Sequence, residues 1–309
     1  MSVETSPAGP ESRALRREYE GGGARKARWR PGVRATNGLS TCLAHAVLLL
    51  LVGFALLPIV VMVATSFKPA DQVFRIPATL WAENPTLQNY IKVFTDSSMP
   101  EALSNSIAAA TLVTTITLLL GGTTGYAIAR VPFRGSGGVA IAILLGQFLP
   151  VTVLLLPLFQ VVTAMGLLDT IPGIAITHLT IILPLVTWMA TSTFRAVPVE
   201  LEEAAMIDGC GRIRAVWSVV FPVARPGIIA LGIFAFLQSW NEFIFASVVT
   251  RSMSSKTAPV ALTDFAGQYA VDWGATTAAA TIITLPITIA FLFVQRYFVR
   301  GMSAGAVKG

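Results

Sequence analysis

The stretch Glu203-Ala204-Ala205-Met206-Ile207-Asp208-Gly209 is a short polar segment between two long apolar regions of the chain. Pro198 lies just before it and suits the first turn of a helix, because a backbone N–H would have no partner there anyway. Gly209 suits the position after the last helical residue, where the backbone often turns left-handed. The segment therefore predicts a helix over 198–208, which is too short to span a bilayer.

Acidic residues crowd the first turn of this predicted helix, where the helix dipole favours negative charge. They are Glu200, Glu202 and Glu203. At helical spacing Leu201, Ala204 and Ala205 share one side, and the two alanines permit close approach of another backbone. After Gly211 a second helical run leads through Pro222 into the next apolar region. The pattern is typical of a short helix that packs or docks at the edge of a larger helical bundle.

The composition identifies the chain as an integral membrane protein of the all-α class. Hydrophobic residues make up 54% of its 309 positions and charged residues 12%, whereas soluble domains carry about twice that share of charge. A bilayer-spanning helix needs about 20 predominantly apolar residues. Six stretches meet this requirement and predict a polytopic domain over 43–300. They are 43–66, 105–129, 138–163, 172–194, 227–249 and 275–295.

The distribution of basic residues predicts the orientation of these six spans. The segments on one side hold 17 of the 22 lysines and arginines, eight of them within residues 1–42, and the other side holds five. Because basic residues accumulate on the cytosolic side, we expect both termini there. The prediction comprises a disordered basic tail over 1–42, an external segment over 67–104, a cytosolic loop over 195–226 and a C-terminal tail over 301–309.

Prolines and glycines inside the predicted spans indicate bends and close contacts. Pro150 and Pro157 lie in the third stretch, where neighbouring helices can satisfy the carbonyls that a proline leaves free. Gly121, Gly122 and Gly125 lie in the second stretch and could let another helix approach closely. Such residues are common in membrane helices, so we interpret them as packing features.

The cytosolic loop resembles the EAA loop of ABC-importer permeases. That pattern is Glu-Ala-Ala, three residues, Gly, nine residues, Ile, any residue, Leu and Pro. This chain has Glu203-Ala204-Ala205, Gly209 and Pro222 at those spacings, with Val219 and Phe221 as apolar replacements for Ile and Leu. In the family this helix enters a cleft of the ATP-binding subunit and transmits its closure to the spans. The alternative is an ordinary amphipathic helix at the membrane interface.

Three further segments resemble carbohydrate importers of the maltose type, and in particular their smaller, six-span permease subunit. They are Ser239-Trp240-Asn241-Glu242-Phe243, Asp272-Trp273-Gly274, and the ending from Gln295-Arg296-Tyr297-Phe298 to Gly305-Ala306-Val307-Lys308-Gly309. The resemblance runs from about residue 43 to the end. It implies the type I ABC importer permease fold. It also implies that the C-terminal tail reaches the ATP-binding subunits.

The resemblance further implies a function and a set of partners. The chain would be half of the translocation path of a sugar or oligosaccharide importer, paired with a second related permease subunit. Two ATP-binding subunits would bind ATP and Mg²⁺, and an extracytoplasmic sugar-binding protein would deliver the cargo. Coupling to the ATP-binding subunits would rest on the EAA segment, namely on Glu203, Ala204, Ala205, Asp208 and Gly209.

Polar residues in the fifth stretch are candidates for contact with a sugar. Gln238, Asn241 and Glu242 lie at i, i+3 and i+4 and should form one patch, with Glu242 in the outer third of the bilayer. The adjoining Trp240 offers a ring face for the C–H face of a sugar. The alternative is polar contact between helices, and this is the favoured interpretation for Glu242. Weaker candidates lie in the third and fourth stretches: Gln147, Gln160 and His178.

The chain lacks the motifs of a self-sufficient enzyme. None of its five lysines follows a glycine, so there is no Walker A loop and no cofactor of its own is expected. His45 and His178 lie far apart with no cysteine cluster, so a metal site is not expected. Two other classes stay open. A stand-alone ion-coupled transporter would need ionisable pairs deep in several spans, and an intramembrane enzyme has few candidate groups.

Overall fold

The computed structural model describes residues 38–131, 135–266 and 271–306. These residues form helices and loops, with no strand among them beyond one isolated bridge between Ala266 and Val271. The predicted all-α class is thereby confirmed. The predicted disordered tail falls almost wholly on residues outside the described ranges, and so does the chain end Val307-Lys308-Gly309.

Thirteen α-helices occupy the described residues. They are α1 Gly38–Ser66, α2 Ala70–Val73, α3 Gln88–Thr95, α4 Met99–Arg130, α5 Ser136–Leu145, α6 Val151–Ala164, α7 Ile171–Arg195, α8 Val199–Ile207, α9 Arg212–Ala215, α10 Phe221–Trp240, α11 Ile244–Val249, α12 Ala258–Ala261 and α13 Trp273–Ala306. Short 3₁₀ turns cover Gly146–Phe148 and Leu262–Phe265, and a π-helical turn covers Val216–Val220.

Four helical segments in the described residues are long and apolar enough to cross a membrane. They are Thr41–Ser66 in α1, all of α4, all of α7, and Arg212–Trp240, which joins α9 to α10. The predicted stretches 43–66, 105–129 and 172–194 are therefore each part of one continuous helix, as expected. Helix α1 begins at Gly38, five residues before the predicted span.

The predicted third span is not one continuous helix. Residues Ser136–Phe148 and Val151–Ala164 form two helical pieces that meet at an angle of 100°. Leu149 is extended, with φ −70° and ψ 128°, because the ring of Pro150 disfavours the helical conformation of the residue before it. Pro157, in contrast, lies inside α6. The pair counts as a fifth candidate span if both pieces belong to one crossing.

The predicted fifth span, 227–249, is interrupted before its predicted end. The helix begins at Arg212 and ends at Trp240, and residues 241–243 break it before α11. The π-helical turn precedes Pro222, whose nitrogen cannot donate to the carbonyl four residues earlier. The wider turn accommodates this loss, and the Phe221 N–H bonds the Val216 carbonyl instead. The second helical run predicted after Gly211 is therefore confirmed and is continuous with α10.

Helix α13 covers the predicted sixth stretch and has 34 residues. Its part Trp273–Ile289 is apolar. Among the described residues the structure thus supports four candidate spans, or five with the bent pair. The complete set of six spans stays a prediction.

The chain divides into two units, one ending at Leu56 and the other beginning at Leu57. In the first unit, residues 41–56 of α1 are exposed along their whole length. In the second unit a core of buried residues lies between α4, α7 and the α9–α10 segment. Its buried residues are Val113, Ala175, Ile182, Val186, Ala190, Phe194, Val197, Val220, Ala224, Leu231 and Ala235.

Glycines set the close spacing of α4 and α7. A Cβ atom on Gly125 would lie 2.7 Å from the Cβ of Ala190 and 2.9 Å from the backbone nitrogen of Thr191. Gly121 is also near α7, with 3.1 Å between its ideal Cβ position and the Thr187 hydroxyl, whereas Gly122 has nothing within 4 Å. Two of the three predicted contact glycines therefore lie at the helix pair, and Gly122 does not.

Candidate functional site

Helix α8 has well-defined ends. It covers Val199–Ile207, so Pro198, which was predicted in the first turn, lies outside the helix with φ −58° and ψ 133°. It ends where Gly209 adopts φ +89°. This backbone conformation is unfavourable in free energy for any residue that carries a Cβ atom. The N–H of Gly209 bonds the Met206 carbonyl, and the N–H of Cys210 bonds the Ala205 carbonyl, at 3.1 and 3.0 Å. These two bonds form a Schellman motif, so the predicted role of Gly209 in ending the helix is confirmed.

The two sides of α8 differ in environment. Glu202 and Ala205 are buried, with 3% and 9% exposure. Glu203, Ala204 and Asp208 are exposed, as is Gly209. Leu201, Ala204 and Ala205, which share one side by helical spacing, differ in exposure: Ala205 packs inward, while Ala204 is exposed and Leu201 is 42% exposed. The inward face is set by Glu202 and Ala205, three residues apart.

The exposed surface around α8 is rich in large apolar side chains. Ile207 is 86% exposed and Ile213 is 79% exposed. Trp217 is 64% exposed and stacks on Phe221, with 4.8 Å between the ring centroids. Exposed apolar groups of this size next to charged residues are typical of a surface that contacts another protein.

Beneath α8, Glu202 is the centre of a buried polar cluster that the sequence analysis did not single out. The Tyr126 hydroxyl donates to Oε1 of Glu202 at 2.5 Å. The Nε atoms of Arg130 and Arg212 lie 3.4 and 3.7 Å from its carboxylate oxygens. Arg130 also donates to the Val197 carbonyl. Two adjacent glutamates in a loop helix and an arginine at the end of a span were the available signal, but the spacing did not indicate which glutamate is buried.

The four substrate-path candidates of the fifth stretch do not form one helical patch. Gln238 and Asn241 are exposed, and Asn241 ends α10 with its side-chain amide on the Leu237 carbonyl at 2.9 Å. Trp240 is 1% exposed, and its indole N–H donates to the Ile283 carbonyl at 3.2 Å. Its ring lies against Phe236. The expectation that Trp240 offers a free ring face is therefore wrong.

Glu242 lies in the break between α10 and α11, outside any helix. Its two carboxylate oxygens accept the backbone N–H groups of Phe245 and Ala246 at 2.8 and 3.0 Å. One of them also lies 3.0 Å from Nε2 of His178. The prediction of a helix through Glu242 failed because these contacts, one of them to α7, stabilise the break.

Of the remaining polar candidates, His178 lies beside Glu242, whereas Gln147 and Gln160 lie elsewhere. Gln147 lies in the turn between α5 and α6 and donates to the Ile181 carbonyl at 3.0 Å, and Gln160 is exposed on α6. His178 is fully buried, and its Nδ1 lies 2.8 Å from the Ser239 hydroxyl. The structure brings His178 and Glu242 together but leaves Gln147 and Gln160 separate. Within the described residues, no group of three or more histidine, cysteine, aspartate or glutamate side chains could hold a metal ion.

Comparison with known proteins identifies the family. The family of binding-protein-dependent transport system inner membrane components matches residues 121–304. A trehalose transport system permease protein of Mycobacterium tuberculosis is 37% identical over 265 residues, covering 84% of this chain and 95% of that protein. A trehalose/maltose transport system permease protein of Thermococcus litoralis is 33% identical over 264 residues, covering 84% and 94%.

A third relative and a solved structure agree. A diacetylchitobiose uptake system permease protein of Streptomyces coelicolor is 31% identical over 252 residues, covering 82% of this chain and 91% of that protein. A bacterial ABC transporter for the import of the polysaccharide alginate has a similar fold, with a TM-score of 0.76 at 20% identity, covering 87% of this chain and 99% of that one. These similarities favour a permease subunit over a stand-alone transporter. The chain belongs to the family of binding-protein-dependent transport system inner membrane components.

Proposed function

We propose that this chain is a permease subunit of an ATP-driven, binding-protein-dependent importer of a sugar or oligosaccharide. The observation that carries the coupling role is the geometry of α8. Its inward face is held in the bundle by Glu202 and Ala205, while Glu203, Ala204 and the large side chain of Ile207 are exposed. Such a helix suits insertion into a cleft of a second protein.

The sugar as substrate is supported by the relatives, whose names specify trehalose, trehalose and maltose, and diacetylchitobiose. Each of these molecules is a disaccharide. The alginate importer, a transporter of a polysaccharide, shares the fold. We propose a small oligosaccharide as the cargo.

The topology belongs to the same proposal. We propose six spans in the bacterial plasma membrane, with the bent pair α5–α6 as the third crossing and α13 as the sixth. Both termini and α8 lie on the cytosolic side, which the bias of lysine and arginine supports. The external segments then include α2, α3 and the loop around Arg251.

The proposed mechanism requires four kinds of partner. A second, related permease subunit completes the path, and two ATP-binding subunits bind α8 and hold ATP and Mg²⁺. A sugar-binding protein docks outside. Closure of the ATP-binding subunits displaces α8, and the bundle changes from inward-open to outward-open. This chain contributes no ATPase chemistry.

The test begins with the complex itself. The tagged chain is purified from membranes of its host in mild detergent, and we expect ATP-binding subunits and a second permease subunit to co-elute. In proteoliposomes with the binding protein outside and ATP inside, uptake of labelled trehalose or maltose should require ATP with ion gradients collapsed. Uptake by the isolated chain, driven by an ion gradient and independent of ATP, would contradict the proposal.

A matched pair of variants tests the docking face. Glu203→Lys places a positive charge at the proposed contact and should abolish uptake while membrane insertion persists. Glu200→Lys makes the same change on another exposed residue of the same helix and should affect uptake less. Equal uptake by both variants and the unchanged protein would exclude Glu203 from coupling.

A further inference from the structure

Four side chains from three separate helices meet under α8. Tyr126 and Arg130 come from the last turns of α4, Glu202 from α8, and Arg212 from α9. The side chains of Arg130 and Glu202 are 6% and 3% exposed, whereas Arg212 is 51% exposed. The cluster therefore joins the loop helix to the end of a long candidate span through buried charged groups.

We propose that Glu202 and Arg130 are positioning residues that transmit a displacement of α8 to α4. The inference rests on the proposed function and adds to it a specific route from the coupling helix into the spans. The alternative is that α8 moves the bundle only through its covalent links to α7 and α9.

The contacts of Arg130 hold both sides of α8. Its side chain donates to the carbonyl of Val197, two residues before the helix starts, and pairs with Glu202 inside the helix. Arg212, in the segment that leaves α8, donates to the backbone carbonyl of Arg130 at 3.2 Å. The chain that enters α8 and the chain that leaves it are thus both bound to the last residue of α4.

Burial makes these contacts costly to break. A carboxylate out of water must keep its partners, since an unpaired buried charge carries a large desolvation penalty. A movement of α8 away from Arg130 would leave buried charges unpaired and would therefore incur that desolvation penalty. The buried pair of Arg130 and Glu202 therefore resists separation, and we expect α8 and the end of α4 to move together.

The packing of α4 allows the displacement to continue into the bundle. Gly125, five residues before Arg130, lies so close to Ala190 and Thr191 of α7 that a Cβ atom would not fit. The aromatic ring of Tyr126 packs edge-on against Phe194 of α7, with 5.6 Å between centroids. Close-packed helices shift as a unit more readily than they deform, so motion of the α4 end carries α7 with it.

The test compares Glu202→Gln with Glu200→Gln in the assembled complex. Both replace a glutamate of α8 by its amide, but only Glu202 is buried. Co-elution of ATP-binding subunits, ATP hydrolysis and ATP-dependent uptake of labelled maltose or trehalose are measured together. We expect Glu202→Gln to keep the subunits and hydrolysis but to lower uptake per ATP hydrolysed at least about tenfold. Glu200→Gln should stay within about twofold of the unchanged protein.

A second variant keeps the inference testable if Glu202→Gln fails to insert. Tyr126→Phe removes one hydrogen bond to Glu202 and leaves the charges paired, so the bundle should fold. We expect it to lower uptake per ATP by a smaller factor with the subunits still bound. Uptake per ATP unchanged in every inserted variant of the cluster would overturn the inference while the proposed function stands. Absence of ATP-dependent uptake by the unchanged complex would overturn the proposed function itself.

Discussion

Nε2 of His178 lies 3.0 Å from Oε2 of Glu242, and the two side chains are 0% and 8% exposed. The contact joins α7 to the break after α10. The other ring nitrogen of His178 lies 2.8 Å from the Ser239 hydroxyl, so the imidazole contacts both the last turn of α10 and the break itself. Glu242, a candidate for contact with a sugar, is thus engaged entirely by the protein's own groups.

This relationship predicts a stability role for Glu242. Glu242→Ala removes the acceptor for two backbone N–H groups and the partner of His178, and we expect a loss of about 3 kcal/mol. Gln238→Ala, an exposed change on the adjoining turn, is the control and should cost under about 0.5 kcal/mol. Thermal unfolding of the detergent-solubilised protein measures both. Equal midpoints for the two variants would contradict the structural role.

The positive φ of Gly209 predicts that alanine substitutions at Gly209 and Gly211 differ in their effect on stability. Gly209→Ala places a side chain at φ +89° and should cost about 1–2 kcal/mol. Gly211→Ala falls at φ −65° and ψ 155°, where any residue fits, and it has no atom within 4 Å of its Cβ position. Thermal unfolding should separate the two variants, and a larger effect at Gly211 would mean that α8 ends differently.

The contact between α4 and α7 predicts that alanine substitutions at two glycines of α4 change the stability in opposite directions. Gly125→Ala would force its Cβ against the backbone of α7, at 2.9 Å from the Thr191 nitrogen, and overpacking of this kind costs about 1–3 kcal/mol. Gly122→Ala meets nothing within 4 Å and should stabilise the helix by up to about 1 kcal/mol. Thermal unfolding of both variants is the measurement. A Gly125→Ala protein as stable as the original would show that the helices are farther apart.

The ion pair between Lys92 and Asp272 predicts that the stability of the fold depends on pH. Burial raises the pKa of the Asp272 carboxyl, but the Ala275 N–H and the Lys92 ammonium group at 2.5 Å outweigh it, so the pKa is lowered. A carboxyl whose pKa is lower in the folded state stabilises the fold above its unfolded pKa of about 3.9. That contribution is lost as the pH falls through the folded value.

The measurement follows the unfolding temperature from pH 6 downward. Asp272→Asn keeps a side-chain oxygen for the Ala275 N–H but removes the charge that titrates. We expect the original protein to lose more stability than this variant as the pH falls below about 4. Asp71→Asn, at an exposed position, is the control. Parallel pH curves for the original protein and Asp272→Asn would refute the prediction.

Much of the helical framework could be predicted from local patterns. Long apolar runs account for α1, α4 and α7, because a bilayer-length run admits few alternatives. Pro198 and Gly209 set the ends of α8 through their own backbone preferences. These features depend on residues close together in the sequence, which is why composition and spacing were sufficient.

The failures concern residues whose conformation depends on distant partners. The helix through 249 was expected because Asn241 and Glu242 lie in an apolar run, yet Glu242 stabilises a break by contacts that include α7. Trp240 suited sugar stacking by its chemistry, and the carbonyl of Ile283 engages its N–H instead. Neither partner could be identified from the local sequence.

The sequence by itself determined an all-helical membrane chain with a short, capped helix between two apolar regions, because apolar content and backbone preferences act locally. Only the tertiary structure decided which of two adjacent glutamates, Glu202 or Glu203, is buried. That choice depends on Tyr126 and Arg130, more than 70 positions away in the chain. A buried carboxylate requires partners in space, and only the packing of α4 against α8 supplies them.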